Sequence, residues 1–92
     1  MFHLMAKLYR NTSGISGDVQ HFNGRFCTGC FGQDSEAIAR YLVREVKEYD
    51  KNEVEIFLQP KWLGLRQCDD PLDKKTLNEI KQLLRINDYK VR

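Results

Sequence analysis

Apolar and polar positions alternate along residues 2–10. Phe2, Leu4, Ala6 and Leu8 fall on one side and His3, Met5, Lys7 and Tyr9 on the other. That period predicts a half-buried strand. Residues 11–17, rich in glycine and serine, read as a loop. Val19 to Phe22 and Arg25 to Phe31 then read as two strands joined at Asn23-Gly24. A type I′ turn wants positive φ at both central positions, and Asn-Gly supplies them. At Asp34 the period becomes helical. Ile38, Leu42, Val46 and Tyr49, widened by Ala39 and Val43, form an apolar stripe, and Glu36, Arg40, Arg44, Lys47, Glu48 and Lys51 form the opposite face. Asp34 or Ser35 is placed to cap the first turn. The polar run 50–53, with Asn52 suited to a left-handed conformation, turns the chain into an extended run, Val54 to Leu58.

Beyond it Pro60 is expected to end sheet pairing. Trp62, Leu63 and Leu65 are too apolar for a free loop and are expected to fold back as a lid on the core. Asp69-Asp70-Pro71 announces a second helix, since proline's missing N–H costs nothing in a first turn. Leu77, Ile80, Leu83 and Leu84 mark its buried face, its end falls near Asn87, and Tyr89 to Val91 would make a short last strand. The expected order is β-β-β-α-β-α(-β). The first three strands run antiparallel, and the fourth, reached through a helix, lies parallel to the first. This is an α/β (α+β) domain, a mixed sheet with helices packed on it, covering residues 1–92 as one unit.

Composition narrows the class. Hydrophobic residues make up 41% and charged residues 30%, the profile of a globular rather than a disordered chain. No apolar run reaches the length of a membrane span, and residues 1–7 lack the pattern of a secretory signal. Three cysteines cannot all pair within one chain, so free thiols and a cytoplasmic location are expected. Net charge is +2, too low to imply nucleic acid by itself. Its distribution is uneven: residues 1–33 hold one acid, Asp18, whereas residues 74–92 hold six basic and two acidic residues. A solvated helix face explains that excess most simply, and an anion-binding end is the rival.

Two constellations carry candidate chemistry. Cys27-Thr28-Gly29-Cys30 is a C-x-x-C motif that, with His21 and Cys68, would complete a Cys₃His set for zinc. Plain strand packing competes with that reading, because residues three apart on a strand point to opposite faces. The same pair lacks the adjoining helix N-terminus that lowers a redox cysteine's pKa. Trp62 between Lys61 and Arg66, together with Lys74, Lys81 and Arg85, has the makeup of a protein hot spot or of a base-stacking platform. The loop at 13–17 lacks the lysine-serine ending of a phosphate loop.

The element order resembles the front part of the ribonuclease H-like fold, over about two-thirds of the chain. Leu8 to Gly14 matches the strand that ends in an aspartate before a glycine turn, Ser35 to Ala39 the helix start that bears a glutamate, and Val54 to Gln59 a strand ending in a second aspartate. The resemblance implies a two-Mg²⁺ hydrolase held by carboxylates. Here Asn11 and Gln59 stand at the aspartate positions and only Glu36 is acidic. That implies a truncated, inactive version without a cofactor. The stretch Gly29 to Ala37 is also similar to the glycine-cysteine turn of HicB-type antitoxins, which act by occupying a partner's surface. The expected function is therefore a small non-catalytic protein that binds another protein, as an inhibitor, antitoxin or accessory factor. Nucleic-acid binding through Lys61, Trp62, Arg66 and the basic last helix is the alternative, and Cys₃His zinc binding is the third. A homodimer is expected if the first strand lies at a sheet edge.

Overall fold

The computed structural model describes residues 2–21 and 26–92, with Phe26 and Cys27 by backbone only. Strand β1 (Phe2–Asn11) is followed by β2 (Gly14–His21), β3 (Phe26–Gly32), helix α1 (Ser35–Glu45), a 3₁₀ turn (Lys51–Glu53), β4 (Val54–Pro60), β5 (Asp70–Pro71), helix α2 (Lys74–Ile86) and β6 (Lys90–Val91). The strands form one mixed sheet in the order β3-β2-β1-β4-β6, with β5 pairing β1 beyond the end of β4. β1 is antiparallel to β2 and parallel to β4, and β4 is parallel to β6. The expected α/β architecture with a parallel fourth strand is what the chain adopts.

The alternation of β1 decides the layering. Its even residues, Phe2 to Leu8, are buried together with Ile15, Val19, Val54, Ile56 and Leu58. Ile38, Ala39 and Leu42 of α1 and Leu77, Ile80 and Leu84 of α2 close the same core. Both helices therefore lie on one face of the sheet and touch each other. The odd residues of β1 point to the other face, where no helix packs among the described residues.

Several boundaries differ from the expectation. β2 starts at Gly14, so most of the expected 11–17 loop is strand. Asn11 makes this tight turn: its side-chain oxygen accepts from the Ser13 N–H at 2.9 Å and its amide donates to Ser16 Oγ at 2.7 Å. Gly14 leaves the turn at φ +147°, where a Cβ would sit 2.6 Å from the Gly32 carbonyl oxygen. Gly17 fits the middle of the sheet because a Cβ there would overlap the Lys7 carbonyl and lie 2.8 Å from Leu8 Cδ2. The Asn23-Gly24 hairpin lies outside the described residues. Asp34 caps α1, accepting from the Ala37 N–H at 2.9 Å. The helix stops at Glu45, but Val46 stays buried and Tyr49 stacks on Phe2 with ring centroids 4.0 Å apart. Asn52 is not left-handed; Asp50 caps a 3₁₀ turn there instead. Pro60 is still in register, opposite Leu8, as the last residue of β4. Asp70-Pro71 is a strand rather than a helix start, and Asp73 is the cap of α2. Finally, β1 is central rather than at an edge, so a second copy cannot pair through it.

Candidate functional site

The helix-free face presents His3, Met5, Lys7 and Tyr9 from β1, Ser16, Asp18 and Gln20 from β2, and Glu55, Phe57 and Gln59 from β4, as the strand register sets them side by side. At one end of this face the loop after β4 crosses over it. The loop leaves β4 where the Lys61 N–H donates to the Leu8 carbonyl of β1 at 2.7 Å, and it returns to β1 where the Leu72 N–H donates to the same oxygen at 3.2 Å. Between those points, Lys61 Nζ pairs with Asp18 Oδ2 at 2.7 Å and lies 5.5 Å from the centre of the Tyr9 ring. The result is a concavity of about 320 Å³ lined by Lys7, Asp18, Gln59, Lys61, Trp62 and Leu63. It continues into a smaller hollow of about 140 Å³ along Met5, Lys7, Asp18 and Gln20.

The expected lid is not one. Trp62 is 72% exposed and Leu63 84% exposed, so both stand in solvent at the rim of this groove. The physical reason lies in the helices: they already seal the apolar face of the sheet, and the loop emerges on the other face. An exposed tryptophan beside an exposed leucine has a large apolar surface left to cover.

The sequence-based binding set is dispersed. Lys61 and Trp62 share the groove, and Arg66, further along the loop, lies 3.8 Å from Asp69. Lys74 opens α2 in the helix layer, beside a broad hollow lined by that helix alone. Lys81 sits further along α2, and Arg85 in its last turn donates to the Val91 carbonyl at 3.2 Å. The groove residues that sequence reasoning missed are Lys7, Asp18 and Gln59. Their signal was the odd-numbered alternation of β1 and β4, together with Asp18 as the single acid of the first third.

The zinc set is likewise not gathered. His21 lies 3.5 Å from Glu45 and edge-on to Phe2. Cys30 is buried on the core face, opposite Gly17. Cys68 is exposed in the loop, 3.7 Å from Asp69. The Cys27 side chain lies outside the described residues. No group of three or more His, Cys, Asp or Glu residues placed to hold a metal occurs among the described residues. Burial, followed by the Asp18 and Glu45 carboxylates, pushes the Cys30 thiol up to about 11.

The positions matched to catalytic carboxylates do not converge either. Asn11 is used in its turn and Gln59 opens onto the helix-free face, whereas Glu36 lies in the helix layer beside Arg40, Leu83 and Asn87. A different polar knot stands at the end of β1. Arg10 donates to Thr76 Oγ1 at 2.9 Å and pairs with Asp73 at 3.3 Å, and Thr76 donates its hydroxyl and N–H to Asp73. It joins β1 to the start of α2 and is structural. Comparison with protein-family models, with curated proteins and with solved structures found no match.

Proposed function

We propose that the protein acts by binding another protein on its helix-free face, with Trp62 as the anchor. The observation that carries this reading is Trp62 and Leu63 held in solvent at the rim of a groove, on a loop tied down at both ends. Buried aromatic anchors surrounded by polar residues are the usual source of protein–protein affinity. Signs of charge alternate along the face: Lys7 and Lys61 flank Asp18, and Glu55 lies 4.0 Å from His3 and 3.3 Å from Arg92. A phosphate backbone calls for a run of one sign, so this pattern favours a protein surface over nucleic acid. The order of strands and helices supports the reading of a truncated, carboxylate-poor ribonuclease H-like domain, and the scattering of Asn11, Gln59 and Glu36 supports binding without catalysis.

The test is affinity capture from the source cells by the immobilised protein and by Trp62→Ala in parallel. Any captured partner is then titrated against the wild type by tryptophan emission at low and high salt. The expected result is a protein whose capture is lost with Trp62→Ala and whose affinity changes little with salt. Binding of a single-stranded oligonucleotide with a steep salt dependence, or Mg²⁺-dependent cleavage of a nucleic-acid duplex, refutes it.

A further inference from the structure

The two sides of the sheet are built differently. On the β4 side the sheet ends in two-residue strands: β5, and β6, which begins with Lys90 and is followed by Arg92. Short, charged borders of this kind prevent strand-to-strand association. On the other side the border is β3, seven residues long, with the sequence Phe-Cys-Thr-Gly-Cys-Phe-Gly. It has no charge and no proline, and among the described residues no strand pairs with its outer side.

The register states which backbone groups β3 offers. Along a strand, N–H and C=O groups point alternately to one neighbour and the other. The Leu8 carbonyl points toward β4, since it accepts from Lys61 and Leu72. Odd residues of β1 therefore face β2. With Lys7 opposite Asp18, and Asp18 opposite Gly29, even residues of β2 face β1 and even residues of β3 face β2. Gly29 and Phe31 are left pointing outward. An independent contact agrees: the Tyr41 hydroxyl reaches the Gly29 carbonyl oxygen, at 3.2 Å, from α1. Phe31 is 51% exposed on the helix-free face.

We propose that β3 pairs with β3 of a second copy, antiparallel about a twofold axis through Gly29, so that two sheets become one. This register pairs all seven residues: Phe26 with Gly32, Cys27 with Phe31, Thr28 with Cys30, and Gly29 with itself. It sets no like charges against each other, because the strand has none. It brings Tyr41 of both copies to the axis, where a half-buried aromatic adds contact area. Each Gly29 N–H donates to the partner's Gly29 carbonyl, which has two lone pairs. The Tyr41 hydroxyl keeps one, and the incoming N–H replaces the long 3.4 Å contact from the Thr28 hydroxyl. The interface uses the border of the sheet farthest from β4 and leaves the Trp62 groove open.

Gly29 is also the place to test this, since a Cβ there meets nothing closer than the Gly17 carbonyl oxygen at 3.9 Å. Sedimentation equilibrium of the full chain, over a series reaching high concentration, should show a monomer–dimer equilibrium. Gly29→Lys sets two ammonium groups face to face and should leave only monomer, with the circular dichroism of the wild type. Directly opposite residues lie about 5.5 Å apart at Cα, within disulfide range. Gly29→Cys with Cys27→Ser and Cys68→Ser should therefore form a 29–29 disulfide dimer with mild oxidant, far faster than an Asn78→Cys control on α2. Trp62→Ala should dimerise as the wild type does. A wild type that stays monomeric throughout, a dimer that survives Gly29→Lys, or a 29–29 crosslink no faster than the control overturns the proposal. Loss of the dimer in Trp62→Ala also overturns it and assigns self-association to the helix-free face.

Discussion

Lys61 Nζ lies 2.7 Å from Asp18 Oδ2, an ion pair that reaches across β1 and fastens the loop after β4 to β2. Both side chains are partly solvated, so the pair contributes at most about 1 kcal/mol to folding. Its larger effect is on the position of Trp62. Asp18→Asn is expected to leave the urea midpoint nearly unchanged while increasing the rotational freedom of the single tryptophan, read by time-resolved anisotropy. High salt should move the wild type toward the same value. Unchanged anisotropy in Asp18→Asn would show that the loop is held by its backbone alone.

The Asp73 carboxyl is held down to about 2 by the Thr76 hydroxyl and N–H, with Arg10 adding to the effect. A carboxyl depressed in the folded state binds its proton more weakly there than in the unfolded chain. Its stabilisation is therefore complete above the ordinary carboxylate range and is lost as pH falls from about 4 toward 2. Asp73→Ala removes the cap of α2 and should cost about 1 kcal/mol near neutral pH. Urea titrations of both proteins should converge as the pH approaches 2. A difference that persists at low pH would mean the cap acts without its charge.

Gly17→Ala forces a methyl group into the Lys7 carbonyl and Leu8 Cδ2. The neighbour it strikes is central-strand backbone, which has little room to yield. The expected loss is about 1–3 kcal/mol, as for other overpacked cores, measured by chemical unfolding. Gly29→Ala, whose Cβ would make only an ordinary 3.9 Å contact with the Gly17 carbonyl oxygen, is the matched control and should be close to neutral.

The described thiols should differ sharply in reactivity. Cys68 is exposed, whereas Cys30 is buried with its thiol pushed up to about 11. In a Cys27→Ser background, a thiol reagent at mildly alkaline pH should label Cys68 quickly and Cys30 only after denaturant is added, since the thiolate is the reacting form. Peptide mapping by mass spectrometry distinguishes the two sites. Early labelling of Cys30 would indicate that β3 opens away from the core.

The architecture was legible in the sequence because period carries burial. The alternation of Phe2 to Leu8 and the stripe of Ile38, Leu42 and Val46 fixed which sides face the core. The start of β2 was not legible, because Gly14, Ser16 and Gly17 have the composition of a loop. Their pairing depends on a turn made by the Asn11 side chain and on room that only glycine leaves beside Leu8. Trp62 and Leu63 were misplaced for a related reason: hydrophobicity predicts burial on average, but it does not say that the helices have already covered the core face of the sheet. Asp70-Pro71 looked like a helix cap because the same residues suit a short strand, and only the β1 edge at Tyr9 and Arg10 decides between them.

The Leu8 carbonyl, by taking the Lys61 and Leu72 amides together, closes the loop like the neck of a bag. Inside the neck, residues 62–69 belong to no strand and only β5 beyond them pairs with β1, so the length and spelling of 62–69 are free to drift or to be redesigned without disturbing the scaffold. Grafting a foreign recognition segment between residues 62 and 69 would turn the domain into a display platform, in the way antibody sandwiches present theirs.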